Sequence, residues 1–338
     1  MPFPSESFPP IHLLDGGLGT TLTDGHGCAF NDSTPLWSSQ LLLTSPTTLL
    51  SAQASFARAG ADIILTATYQ ASFEGFAKSG VSEDDAGKSM RSAVSIARAA
   101  FGANGDREAG RAREGKVALS LGAYGATMIP SQEYSGEYDE LHVTVKQLRD
   151  WHFRRIRAFF PVTEGFEESG IGNGMEEKKT CWGEVDFVAF ETLPLLREIL
   201  AVREVMCAVA KLANGEEKGF WISCVFPGEE NCLPDGSIVK EVVRAMLGKR
   251  EGARTPMGVG INCTNIEKVE GLIGEFESAM KELVENGEVK EWPSLVVYPD
   301  GTNGEVYNTT TKEWETQEES GANSVSPCGD LQCRTSMC

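Results

Sequence analysis

Seven short runs of apolar and β-branched residues recur along this chain, at 11–14, 62–68, 117–121, 186–190, 220–226, 257–261 and 294–298, each separated from the next by a longer segment. Runs of this length without polar alternation read as strands buried on both faces. Where the intervening segments are helical, such strands form a parallel sheet joined by right-handed crossovers. The intervening segments do carry helix signals. Ser45-Pro46 opens residues 47–59 and Gly60 closes them, as a cap, a first-turn proline and a stop should. Ser82 with Asp85 resembles a capping box ahead of residues 89–101. Leu148, Trp151, Ile156 and Phe159 share one apolar face, Ile199, Leu200, Val205 and Val209 another, and Asn265 can cap the segment carrying Val269, Leu272 and Phe276.

The alternation admits an open doubly wound sheet or a closed eightfold barrel, and the residues just past the strands discriminate between them. In a barrel the working groups stand where the strands end. Here those positions read Asp15-Gly16-Gly17, Thr66-Ala67-Thr68-Tyr69, Gly122-Ala123-Tyr124-Gly125, Glu191-Thr192, Cys224, Asn262-Cys263 and Tyr298-Pro299-Asp300. An open sheet concentrates such residues at one switch point, usually with a GxGxxG turn after the first strand, which DGGLGT does not match. The pattern favours a (β/α)8 TIM barrel as a single domain over residues 1–338. Residues 161–183, acidic and glycine-rich, read as a solvated insertion on the face away from the strand ends.

Composition narrows the partners. Thirty basic against 49 acidic residues leave a net charge of −19, which repels phosphate backbones and anionic lipid heads, so neither nucleic acid nor a membrane surface is an expected partner. No apolar run reaches membrane-spanning length and the first residues lack a secretory pattern, which together predict a soluble, cytoplasmic protein. In a reducing compartment the nine cysteines are core residues, metal ligands or catalytic groups rather than disulfides.

Cys263 ends a buried run and precedes a helix, a position that favours thiolate, and three thiolates with an open fourth position make a catalytic zinc site. Cys328, Cys333 and Cys338 crowd the last eleven residues, but their spacing is not that of a zinc knuckle. Asp15 and Glu191 end apolar strands, where an unpaired carboxylate costs several kcal/mol, so each wants a partner: a substrate ammonium, a structural arginine or backbone amides. No lysine stands at a strand end, which argues against Schiff-base chemistry. Of the four histidines, His12, His142 and His152 are not placed as a general base and His26 is the doubtful case.

These pieces resemble the homocysteine S-methyltransferase family. The resemblance rests on LLDGGLGTTL at 13–22, AGADIILTATYQAS at 59–72, GAYGA at 122–126 with EYSGEYD at 133–139, FETLP at 190–194, GINC at 260–263 and LVVYPDGTNGEVYN at 295–308, and it spans roughly residues 11–314. It implies an eightfold barrel holding one Zn2+ through the Cys of GINC and a vicinal pair in a C-terminal GGCCRT. The substrate it implies is L-homocysteine, methylated on its thiolate by S-methylmethionine or S-adenosylmethionine to give methionine. By the same resemblance Cys263 is a ligand, Asp15, Gly16, Gly17 and Glu191 hold the amino-acid end of homocysteine, and Thr66, Tyr69 and Gln70 line the donor side, with Trp37 a weaker candidate there.

The C-terminal element departs from the family pattern. Cys333-Arg334-Thr335 keeps its end, but Gln332 stands in place of the first cysteine and Asp330-Leu331 in place of the glycines. Cys333 and, as a substitute, Cys328 are the expected remaining ligands. From 315 to 338 the apolar residues are too few for a closing helix, so the reading expects an incomplete barrel and an altered terminus. The competing expectation is a barrel without turnover that acts as an amino-acid-binding or regulatory protein.

Overall fold

The computed structural model describes residues 11–30, 34–102, 115–160, 181–212, 217–301, 305–308 and 313–316. The elements alternate. Helices α1 (Leu18–His26), α2 (Leu41–Thr44) and α3 (Pro46–Ala59) precede β1 (Ile63–Leu65), which leads through α4 (Phe73–Lys78) and α5 (Glu83–Ala100) to β2 (Lys116–Gly122). Then come α6 (Val145–Arg157), β3 (Phe187–Leu193), α7 (Leu196–Leu212), β4 (Gly219–Cys224), α8 (Val239–Leu247), β5 (Gly258–Asn265), α9 (Ile266–Glu285) and β6 (Ser294–Asp300). A short antiparallel pair, β7 (Glu305–Asn308) and β8 (Glu313–Thr316), follows.

Strands β1 to β6 form one sheet in sequence order, every neighbour parallel, and Leu14 extends it by a parallel bridge to Ile63. Successive residues of each strand face opposite sides. Ile64, Val117, Leu119, Val188, Phe190, Ile222 and Val259 pack outward into the core shared with the helices. Ile63, Ala118, Ala189 and Trp221 face inward and cluster with Leu14 and Val296, which belong to the first and last segments of the sheet. At the usual strand spacing these two segments would stand ~29 Å apart in a flat sheet. Leu14 and Tyr298, from these two segments, line one cavity, so the sheet curls into a half-barrel.

The predicted strands are found in place, with two corrections: the run at 62–68 is a strand only over Ile63–Leu65, with residues 67–70 in a turn, and the first run is mostly exposed. The first run contributes a bridge at Leu14 alone, and Ile11 and Leu13 are 88% and 56% exposed rather than buried. On one side the run is bonded to β1, through Asp62 N and Ile63 N to Leu13 O and Asp15 N to Ile63 O. On its other side no strand is found among the described residues, so its side chains are left at an edge.

Two of the three predicted caps act where they stand in the sequence, whereas Ser45 precedes α3 without a side-chain cap hydrogen bond, its Oγ lying 2.7 Å from Thr48 Oγ1. Ser82 Oγ accepts from Asp85 N at 3.2 Å and Asn265 Oδ1 from Glu267 N at 2.9 Å. Helix α5 begins at Glu83, six residues before the predicted start, because that cap lies directly ahead of it. The glycine-rich insertion lies outside the described residues up to 180, but its last residues are anchored. Trp182 is 2% exposed and stacks on Phe160 at 4.6 Å, so the end of that segment belongs to the core. Cys333 and Cys328 also lie outside the described residues. No described helix is long and apolar enough to cross a membrane.

Candidate active site

The strand ends converge on one cavity of about 690 Å3. Asp15, Gly16 and Gly17 enter its wall after Leu14, Thr66 and Tyr69 after β1, Ser120 from β2, Glu191 from β3, Cys263 from β5 and Tyr298 from β6. Residues from both ends of the sheet order face each other only because the sheet curls. Gln70 is not in this wall, and Trp37 is buried in the core beside Phe30, leaving its neighbour Ser38 to face the cavity.

Tyr69 is held from two directions. Its ring lies over Gly122, where a Cβ would stand 2.7 Å from it, so the end of β2 has room for no larger residue. Behind it, buried Arg155 from α6 donates to Thr68 O at 2.6 Å, Tyr69 O at 2.5 Å and Gly122 O at 2.8 Å, tying the ends of β1 and β2 together. Burial lowers this guanidinium to about 10, which keeps it charged at neutral pH.

Two carboxylates face the cavity. Glu191 accepts from Ser120 Oγ at 2.5 Å and is also hydrogen-bonded by Tyr298, whose hydroxyl lies 2.6 Å from Ser223 Oγ. Burial still pushes Glu191 up to about 7, against those hydrogen bonds and the more distant Arg155 charge. Asp15 accepts from Leu65 N at 2.9 Å, and it too is raised well above the carboxylate range, by burial and then by the charge of Glu191. Neither acid has a described salt bridge. Both acids can accept hydrogen bonds from the N–H groups of a ligand in the cavity.

Opposite them, Cys263 is 6% exposed and sits at φ +48°, while Thr192, just after Glu191, sits at φ +58°. Left-handed backbone at such residues costs about 1–3 kcal/mol and persists only where surroundings enforce it. Asn262 is the enforcing group. Its Oδ1 accepts from Thr192 N at 2.9 Å, and its Nδ2 donates to Thr192 Oγ1 at 2.7 Å and to Cys263 Sγ at 3.0 Å. Sequence reasoning placed Asn262, Thr192 and Tyr298 at strand ends without giving them a task, and the pairing across β3 and β5 is what supplies one. Replacing Asn262 by Leu is expected to lower stability by about 2–4 kcal/mol, because the Thr192 amide loses its buried acceptor, and to slow turnover at least tenfold as Cys263 shifts. Chemical denaturation and initial rates measured on the same variant check both effects.

Against the expectation of cysteines without disulfides, Cys263 is disulfide-bonded, while Cys28, Cys181, Cys207, Cys224 and Cys232 are free. Among the described residues no group of three His, Cys, Asp or Glu side chains is arranged to hold a metal ion. The buried His152, by contrast, belongs to a structural network. Its Nε2 lies 2.8 Å from Glu198 Oε1, which also accepts from Tyr124 N at 2.7 Å, and Glu198 Oε2 accepts from Tyr138 at 2.6 Å.

The homocysteine S-methyltransferase family model matches residues 12–335. Selenocysteine Se-methyltransferase of Brassica oleracea var. italica is 33% identical over 310 residues, covering 89% of this chain and 75% of its own. Homocysteine S-methyltransferase YbgG of Bacillus subtilis (strain 168) is 30% identical over 342 residues, 96% of this chain and 91% of its own. Among solved structures, the metallated form of the homocysteine methyltransferase MmuM from Escherichia coli superposes with a TM-score of 0.62 at 28% identity, over 86% of this chain and 84% of that one. A curled parallel α/β sheet with its polar groups gathered at the strand ends is the framework of an enzyme, and this one is a methyltransferase. The chain belongs to the homocysteine S-methyltransferase family.

Proposed function

We propose that the cavity binds L-homocysteine and a sulfonium methyl donor, S-methylmethionine or S-adenosylmethionine, and transfers one methyl group to the homocysteine sulfur to give methionine. The observation that carries this reading is a single cavity in which two buried carboxylates without a salt-bridge partner, Asp15 and Glu191, face a cysteine sulfur. An amino acid with a terminal thiol presents an ammonium to the first feature and a sulfur to the second. We further read the curled sheet as part of a closed (β/α)8 barrel, and the protein as cytoplasmic.

A single Zn2+ fits the sulfur end of this site. Cys263 would be one thiolate ligand once reduced, and the sequence offers Cys333 and Cys328 as further ones. Bound zinc would lower the pKa of the homocysteine thiol and so provide a nucleophile at neutral pH.

The protein groups do the rest by placement. Asp15 and Glu191 take the ammonium of homocysteine and thereby fix the direction of its side chain toward Cys263. Gly16 and Gly17 allow the backbone to approach the amino-acid end closely. Tyr69, clamped over Gly122, presents an aromatic face to the sulfonium, with Thr66 beside it. The thiolate lone pair forms the new S–C bond while the pair of the breaking C–S bond stays on the donor sulfur, which leaves as a neutral thioether. The thiol proton is lost before transfer, so no general base is required, which agrees with His152 serving the Glu198 network instead. A barrel without turnover is not favoured, because the named relatives are methyltransferases.

Zinc content and donor choice test this reading together. The reduced chain should hold about one zinc, lose activity to a chelator and regain it on zinc addition. With S-methylmethionine it should form two methionines per transfer, and with S-adenosylmethionine one. Turnover unaffected by thorough zinc removal would overturn the zinc assignment.

A further inference from the structure

Ser120 is the single polar residue in the apolar run 117–121, and it is buried. Side chains alternate along a strand, so Ser120 faces the same way as the inward Ala118, and it reaches the cavity wall. The hydrogen bonds around its backbone close into a ring. Ser120 N donates to Thr66 Oγ1 at 3.0 Å, Thr66 Oγ1 lies 2.6 Å from Thr68 Oγ1, and Thr68 Oγ1 donates to Ser120 O at 2.7 Å. Strand β1 ends at Leu65, and from there threonine hydroxyls take over the task of holding Ser120.

A hydroxyl has one proton, and counting protons fixes every direction in this ring. A carbonyl only accepts, so the Thr68 proton is spent on Ser120 O. The contact between the two threonines therefore uses the Thr66 proton, and Thr66 Oγ1 receives the Ser120 amide. Bonds in such a ring polarise one another and hold Ser120 in place. One proton remains, on Ser120 Oγ, and it goes to Glu191 Oε1 at 2.5 Å. Tyr298 does not offer the same. Its hydroxyl lies 2.6 Å from Ser223 Oγ, where either oxygen can donate, and it accepts from Trp221 Nε1 at 3.5 Å. Ser120 is the donor whose direction the fold sets.

We infer that Ser120 is a positioning residue for the acceptor substrate: it pins Glu191 Oε1 across β2 and β3 and leaves the remaining lone pairs of the carboxylate for the ammonium of the amino-acid thiol. The inference rests on the proposed reading that Glu191 takes that ammonium. A donor aimed at a carboxylate also favours its charged form, so Ser120 sets the pH below which the site stops accepting an ammonium. Burial lifts Glu191 to about 7, and the Ser120 hydroxyl is the foremost group that opposes it. Tyr298 from β6 and Arg155 from α6 oppose it too, while Glu191 in turn acts on Asp15 and Tyr69. Loss of one serine hydroxyl removes none of these other charges.

Calorimetric titration of homocysteine into the full, reduced and zinc-supplemented chain at pH 6 and pH 8.5 tests this, with each variant expressed as a ratio to wild type. Ser120→Ala is expected to bind about tenfold more weakly at pH 6 and within about threefold of wild type at pH 8.5, because loss of one donor moves the ionisation of Glu191 up by about one pH unit. In the Glu191→Gln background the same substitution should change affinity less than about twofold at either pH. Ser120→Thr, which keeps a hydroxyl, should stay within about threefold of wild type at both. A Ser120→Ala loss of equal size at the two pH values, one that persists beside Glu191→Gln, or one matched by Ser120→Thr marks packing and overturns the inference. A Ser120→Ala chain that no longer folds at pH 5, where Glu191 is protonated, overturns it in the same way. Unchanged binding by Ser120→Ala, with Glu191→Gln still weakened, overturns the inference alone. Wild-type affinity in Glu191→Gln itself removes the ammonium reading of Glu191, and the inference falls with it.

Discussion

Replacing Cys263 by Ala is expected to reduce methionine formation by at least about a thousandfold while leaving the protein folded. The side chain is small and stands at the mouth of the sheet rather than in its packed layers, so truncation removes one sulfur and little packing. What it removes functionally is the only described sulfur in the cavity wall, held by Asn262 at a strained backbone position. Structure spent on holding one cysteine at φ +48° is the mark of a working group rather than a filler. Cys224 provides the contrast within the same chain. It is fully buried at the end of β4, free, and pushed well above the thiol range by burial, so it has the character of an inert core residue. Cys224→Ala should cost about 1–2 kcal/mol from the void it leaves and keep turnover within about threefold. Equal losses from the two substitutions would mean that the site has been misplaced.

The second large effect is expected at Glu191, and it has opposite signs in stability and binding. Burial raises this carboxyl from its ordinary value of 4.5 to about 7 in the ligand-free protein. A raised acid pKa means that the native state holds its proton more tightly than the unfolded chain, so native stability is greatest at low pH and is lost as pH rises toward 7. Above that pH, ionised Glu191 costs the empty site about 3 kcal/mol, taken as the shift multiplied by 1.36 kcal/mol per unit. Glu191→Gln removes that cost, and the ligand-free variant should melt at a higher temperature than wild type at pH 8 and close to it at pH 5.

Binding should move the other way. An ammonium ligand is bound by the ionised form, so wild-type affinity for homocysteine falls as pH drops below about 7, by up to tenfold per unit for this group. Asp15 adds in the same direction, since burial raises it as well. In Glu191→Gln the affinity should fall about a hundredfold or more and lose most of this pH dependence. Thermal melts and calorimetry across the pH range check the pair of effects. A variant that is both less stable at pH 8 and unchanged in affinity would show that Glu191 has its cation partner within the protein.

Much of this is legible in the sequence alone, and the reasons are physical. Strands buried on both faces carry no polar alternation, so they stand out as apolar runs, and groups past their ends announce themselves as Asp15, Glu191 and Cys263 interrupting such runs. Caps act locally, which is why Ser82 and Asn265 could be read. Features that depend on adjacency across the sheet were not legible. Nothing in FETLP or GINC says that Asn262 reaches over to pin Thr192, because that contact exists only once β3 and β5 curl toward each other. The β7–β8 pair is not legible as strands because each is only four residues long and neither is a continuous apolar run. Trp37 was drawn toward the donor side by its aromatic character, yet the three-residue-per-turn helix that begins with it turns it into the core.

The central claim is that this cavity methylates the sulfur of homocysteine. Its most direct test is the initial rate of methionine formation from isotopically labelled homocysteine and S-methylmethionine by the reduced, zinc-supplemented full chain, beside Cys263→Ala. Label appearing in methionine at a steady rate with wild type and at background with the variant is the predicted result. A folded wild-type protein that binds zinc but forms no labelled methionine from either S-methylmethionine or S-adenosylmethionine would contradict it.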